Sequence, residues 1–180
     1  MRIRNLALIL LTCAVTSCNA APQPEAAKTP AAPVSVAHGN LAQVMRSILF
    51  PNSNVIFYVQ SNDPTKVKQA TDASTATDIL ESSYGGWDAV ENSALALSES
   101  ANLLTVPGRK CSNGKDVPVK NEDWGKFVQQ LRDAGMVAYK AAQSKSQDNI
   151  LTATDTLTNA CAGCHEKYRD VPGGVPNRCM

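Results

Sequence analysis

Between about His38 and Tyr168 the apolar residues of this chain recur every three or four positions in four successive segments, and no stretch alternates with a period of two. The first spacing lines up one face of an α-helix, whereas alternation would mark a half-buried strand. A chain built from amphipathic helices must bury their stripes against one another. The expected fold class is therefore all-α, an antiparallel four-helix bundle occupying residues 38–180. At 180 residues, a single domain is expected.

The first segment carries Leu41, Met45, Ile48, Val55 and Val59 on one stripe, interrupted by Pro51. Proline lacks the amide donor and clashes with the preceding turn, so this helix should be kinked or broken near Phe50 to Asn54. The second follows Gly85 and Gly86, aligns Trp87, Val90, Ala94, Leu97, Ala101 and Leu104, and should end at Pro107 and Gly108. A loop containing Cys111 follows. Asn121 or Asp123 can then cap a third helix with Trp124, Phe127, Leu131, Ala134 and Ala138 inside. The fourth, starting near Asp148, sets Ile150, Thr154, Leu157, Cys161, then Cys164 or His165, and Tyr168 along its inner face.

Residues 1–18 read MRIRNLALILLTCAVTSC, two arginines followed by an apolar run from Leu6 to Val15. That is the layout of a secretory signal peptide, and the run is short for a membrane span. Val15 to Cys18 resembles a lipobox, in which Cys18 would receive lipid; the rival reading is a cut after Ala20 with no anchor. Either way the body is expected outside the cytoplasm, in the periplasm, and in the first case anchored to a membrane. Residues 19–37 are rich in Ala and Pro and have no apolar period, which reads as a flexible tether. Without Arg2 and Arg4 the 17 basic residues become 15, against 16 acidic ones. This near-neutral balance argues against nucleic acid as a partner.

The most specific motif is Cys161-Ala162-Gly163-Cys164-His165, a C-x-x-C-H pattern. Two thiols three positions apart on a helical turn can form thioethers to the two vinyl groups of one haem, with the adjacent imidazole of His165 as proximal ligand of the iron. One covalently held haem c per chain is thus the expected cofactor. Two other uses of the motif fit less well. A thioredoxin-type dithiol belongs beside strand–helix–strand units, and a zinc site needs a fourth ligand from a chain whose other histidine is His38 alone. With Cys13 in the signal, Cys18 at the lipidation position and the motif pair engaged, Cys111 and Cys179 remain. In an oxidising compartment a disulfide between them is expected.

The nine residues Cys161 to Arg169, CAGCHEKYR, at the end of the last of four expected helices, resemble the C-terminal signature of the cytochrome c prime family and its low-spin relatives. The resemblance spans about His38 to Arg169, is specific in the last helix and elsewhere rests on helix order. Pro51 and the Cys111 loop depart from the family pattern. The resemblance implies that the first helix covers the face of the haem opposite His165, with methionine as sixth ligand in the low-spin members. It also implies a possible pairing of two chains as a homodimer through the first two helices.

Met45, on the inner stripe of that helix, is the candidate sixth ligand; its plainer role is a core filler. His38 is the rival on a similar face and otherwise a solvated residue at the helix start, while Met136 and Met180 are not favoured. Lys167 and Arg169 can either pair with haem propionates or form a basic helix end. Tyr168, Trp87 and Trp124 read as core residues. The sequence offers no acid/base pair, activated nucleophile or phosphate loop, so the expected function is electron transfer to and from a redox protein partner, without catalysis. The alternatives are a five-coordinate haem protein that binds gases, or an enzyme acting on peroxide. The latter would want a distal histidine or arginine, for which only His38 and Arg46 are placed.

Overall fold

The computed structural model describes residues 35–179. The expected signal segment with Cys18, the tether up to residue 34, and Met180 lie outside the described residues. Among the described residues there are helices and no strands. The first helical run has three parts: α1 (Leu41–Val44), a π-helical turn (Met45–Leu49) and α2 (Phe50–Tyr58). Then come α3 (Trp87–Ser100), extended by a 3-10 turn (Ala101–Thr105), α4 (Glu122–Gln143) and α5 (Gln147–Tyr168). Counting α1 to α2 as one run, this is a bundle of four helices in which α2 packs on α3, α3 on α4 and α4 on α5, with α2 touching α5 more lightly.

Local chemistry explains most boundaries. Asn40 caps α1 through a reciprocal pair with Gln43, at 2.9 and 2.8 Å, which satisfies two otherwise orphaned amides. Ser146 caps α5. Between α4 and α5 only Ser144 to Ser146 intervene, and Lys145 takes the left-handed conformation (φ 51°) that reverses the chain; so short a connection makes the two helices antiparallel neighbours. Asn121 occupies the cap position of α4 without a side-chain cap bond. Its amide instead donates to the Tyr168 hydroxyl at 3.2 Å.

Pro51 does not break the helix. The irregularity appears one turn earlier than expected, as the π turn Met45–Leu49, closed by the Phe50 amide donating to the Met45 carbonyl. Proline's steric conflict is with the turn before it, so the widening falls there. The Asn52 side chain donates to the Ile48 carbonyl at 2.7 Å and holds the loosened turn. The extra residue shifts the stripe: Leu49 is buried where Ile48 was expected, and Ile48 is half-buried.

The expected stripes of α3, α4 and α5 form the core. Trp87, Val90, Ala94, Leu97, Trp124, Leu131, Ala138, Ile150 and Leu157 are all buried. Helices α3 and α4 approach closely at Gly135, where an added Cβ would lie 2.7 Å from the Ser98 amide nitrogen. The Ser98 hydroxyl donates to the Arg132 carbonyl across the same crossing. A disulfide joins Cys111 to Cys179, with Cα atoms 4.8 Å apart. It clamps the loop after α3 to the tail after α5, where the Cys179 amide donates to the Tyr168 carbonyl at 2.7 Å.

Candidate functional site

The motif occupies the last two turns of α5, the end clamped by that disulfide. Cys161 and Cys164 are unpaired thiols, half-buried, as is His165. All three line one cavity of about 490 Å³, within the size range of small-molecule and cofactor sites. Its walls come from every long element. The first helical run contributes Met45, Arg46, Leu49, Phe50 and Ser53; α3 and its extension add Leu97 and Leu104; α4 adds Trp124, Phe127, Val128 and Leu131. Cys161, Cys164, His165, Ala160 and Arg169 close it from α5. The lining is overwhelmingly apolar, with its cations and imidazole at two places only. Met45 and the three motif residues line the same cavity.

The apolar surroundings act on the motif's ionisable groups. Burial raises the Cys161 thiol, against a smaller opposing effect of Arg169. Burial likewise pushes Cys164 up to about 11, helped by Cys161 and Asp123. Both cysteines are therefore neutral thiols at physiological pH, the opposite of the lowered thiol that a thioredoxin-type nucleophile needs. Burial also lowers His165, with Arg169 acting in the same direction and Asp170 opposing. A neutral imidazole is the form that can ligate a metal. Among the described residues no group of three or more His, Cys, Asp or Glu side chains is gathered to hold a metal ion.

The surrounding side chains differ in part from expectation. Arg169 does line the cavity, but its Nη1 lies 2.8 Å from His165 Nδ1 while Nε and Nη2 bind the two oxygens of Asp170, both at 2.7 Å. A guanidinium only donates, so Nδ1 accepts and the neutral ring carries its proton on Nε2. Lys167 pairs with Asp123 on α4 and is not on the lining. Tyr168 donates to Asp123 at 2.7 Å and sets its ring edge-on to Trp124, with centroids 4.9 Å apart. Trp124 in turn donates to the Leu104 carbonyl at 3.1 Å. This chain of contacts fixes the end of α5 against the start of α4 and braces the cavity wall.

Of the candidates for the far wall, Met45 lines the cavity and is half-buried. His38 is exposed and lies before the cap of α1, and Met136 is half-buried on α4; neither lines the cavity. Arg46, weighed only as an oxidant-activating group, shares the lining with Met45. Leu49, Phe50, Leu97, Leu104 and Val128 had not been singled out as cavity residues. Of these, Leu97 and Leu104 lay on the expected stripe of the second helix and the other three on none; which positions surround a void depends on how four helices meet. No helix among the described residues is long and apolar enough to cross a membrane. No protein-family model, curated protein or solved structure matches the chain.

Proposed function

We propose that this protein is a mono-haem c-type cytochrome that carries electrons outside the cytoplasm. In this reading the thiols of Cys161 and Cys164 hold the haem as thioethers, His165 supplies the proximal ligand and Met45 the sixth. One observation carries it: a C-x-x-C-H motif on α5 lines an apolar cavity of about 490 Å³ whose lining also includes a methionine of the first helical run, Met45. The bound haem would supply a single iron that takes up and releases one electron.

The residues present suit such a group. Two thiols kept neutral by burial are both free to be alkylated. The imidazole is also kept neutral. A ligating His165 would carry its ring proton on Nδ1, and Arg169 would then release that nitrogen. Asp170 holds the guanidinium by its other two nitrogens, so the side chain keeps its anchor. Leu49, Leu97, Leu104, Phe127 and Leu131 would surround the group with apolar side chains, and such burial tunes a haem potential. Electron transfer requires no acid/base group from the chain; Arg46, the arginine considered for oxidant activation, does share the lining with Met45.

Export, lipid attachment at Cys18, a redox protein as partner and pairing into a homodimer belong to the same proposal. Absorption spectra of protein produced with the haem-attachment machinery, oxidised and reduced, test it. Low-spin spectra in both states, with no rapid carbon monoxide binding after reduction, are expected. High-spin spectra with rapid binding would instead favour the gas-binding reading, and no haem absorption would reject both.

A further inference from the structure

The cavity is not lined evenly. Leu49, Leu97, Leu104, Trp124, Val128 and Leu131 are buried and give it a hydrocarbon floor. Of the lining residues only Arg46 and Phe50, both on the first helical run, are exposed, while Ser53, Phe127 and Arg169 are half-buried like the motif residues. The cavity therefore reaches solvent beside Arg46 and Phe50. No aspartate or glutamate is on the lining.

A haem is itself uneven. The vinyl-bearing edge that would join Cys161 and Cys164 lies across the ring from an edge carrying two propionates. These are carboxylates, and setting them unpaired among buried Leu and Trp side chains is strongly disfavoured. They belong at the solvent side, next to a cation. Of the two basic residues expected from the sequence to serve, Lys167 pairs with Asp123 and is off the lining. Arg169 is on the lining, but two of its nitrogens bind the Asp170 carboxylate and the third lies against His165. Arg46 forms no ion pair with any carboxylate among the described residues. We infer that Arg46 binds a haem propionate at the mouth of the cavity. The inference rests on the haem proposed above and deepens it, and it holds whether or not Met45 ligates the iron. The planar fork of a guanidinium matches a carboxylate with two parallel hydrogen bonds.

The test uses the full chain with haem attached. Arg46→Lys keeps the charge and loses the fork; Arg46→Leu loses both. Resonance Raman spectra of the reduced protein read the propionate bending band, which moves when hydrogen bonding to the carboxylate changes. A redox titration reads the midpoint potential. The band should shift in both variants and stay in place in Arg169→Leu. The potential should fall in Arg46→Leu, because an uncompensated carboxylate disfavours the added electron, and should stay near that of the parent in Arg46→Lys. A lowered potential in Arg46→Leu with no band shift in either variant would overturn the inference, since Arg46 would then act through its charge alone. An unchanged band and potential would also overturn it and leave Arg46 as a solvated residue of the rim. A band that moves in Arg169→Leu and not in the Arg46 variants would overturn it in favour of Arg169. Should Arg46→Leu not take up haem, the band of Arg46→Lys decides alone. A parent chain that binds no haem removes the haem reading itself, a failure seen before any variant is made.

Discussion

At the residue scale the site divides into groups that bind and groups that hold them. If Met45 is the sixth ligand as proposed, Met45→Ala should raise the carbon monoxide affinity of the reduced protein by about tenfold or more, because the competing ligand is removed; stopped-flow mixing measures it. Among the holding groups, Asp123 is kept below the usual carboxylate range by Lys167 first and Tyr168 next. A carboxylate lowered in the folded state stabilises fully above its ordinary value and loses that contribution as pH falls through the folded value. The melting-temperature advantage of the parent over Asp123→Asn should thus be constant from neutral pH to about 5, shrinking from about pH 4 downward. An advantage that persists undiminished in acid would show that the carboxylate's charge is not what joins α4 to α5. The motif residues were legible because their chemistry is local to five positions. The contacts of Arg169 with His165 and Asp170 were not, since they depend on a rotamer and on the residue after the helix.

At the element scale the sequence pattern located the last three helices to within a few residues, since Trp87, Trp124 and Ile150 each head an uninterrupted stripe. The first run was read correctly as irregular but with the wrong register. Pattern reading assumes 3.6 residues per turn, and one turn of five moves burial from Ile48 to Leu49. The long connection from Val59 to Gly86 carried no stripe, yet it buries Leu80 and places Thr65 3.0 Å from the Trp87 indole nitrogen. These are contacts of tertiary origin. Two consequences are measurable by urea denaturation. Gly135→Ala should destabilise by about 2 kcal/mol, because the α3–α4 crossing has no room for a methyl group. Replacing Cys111 and Cys179 together by alanine should cost about 3 kcal/mol, since the bridge closes a span of 68 residues.

At the scale of the whole molecule, the disulfide, the Tyr168 contacts and the bundle converge on one end of α5, and the cavity lies beside that end. An all-α bundle needs no such space for its own stability. Leaving about 490 Å³ unfilled among Leu, Phe and Trp side chains costs dispersion and burial that a packed core would keep. That cost is offset if a large apolar group sits there, and the proposed haem, held by the thiols and imidazole on the lining, is such a group. Mass spectrometry of the intact mature protein and of its Cys161–Cys164 peptide, made in a host that attaches haem, tests this most directly. The account predicts a peptide heavier by one haem, with both cysteines resistant to thiol reagents. An unmodified peptide with two alkylatable thiols, from a fully folded protein, would contradict it.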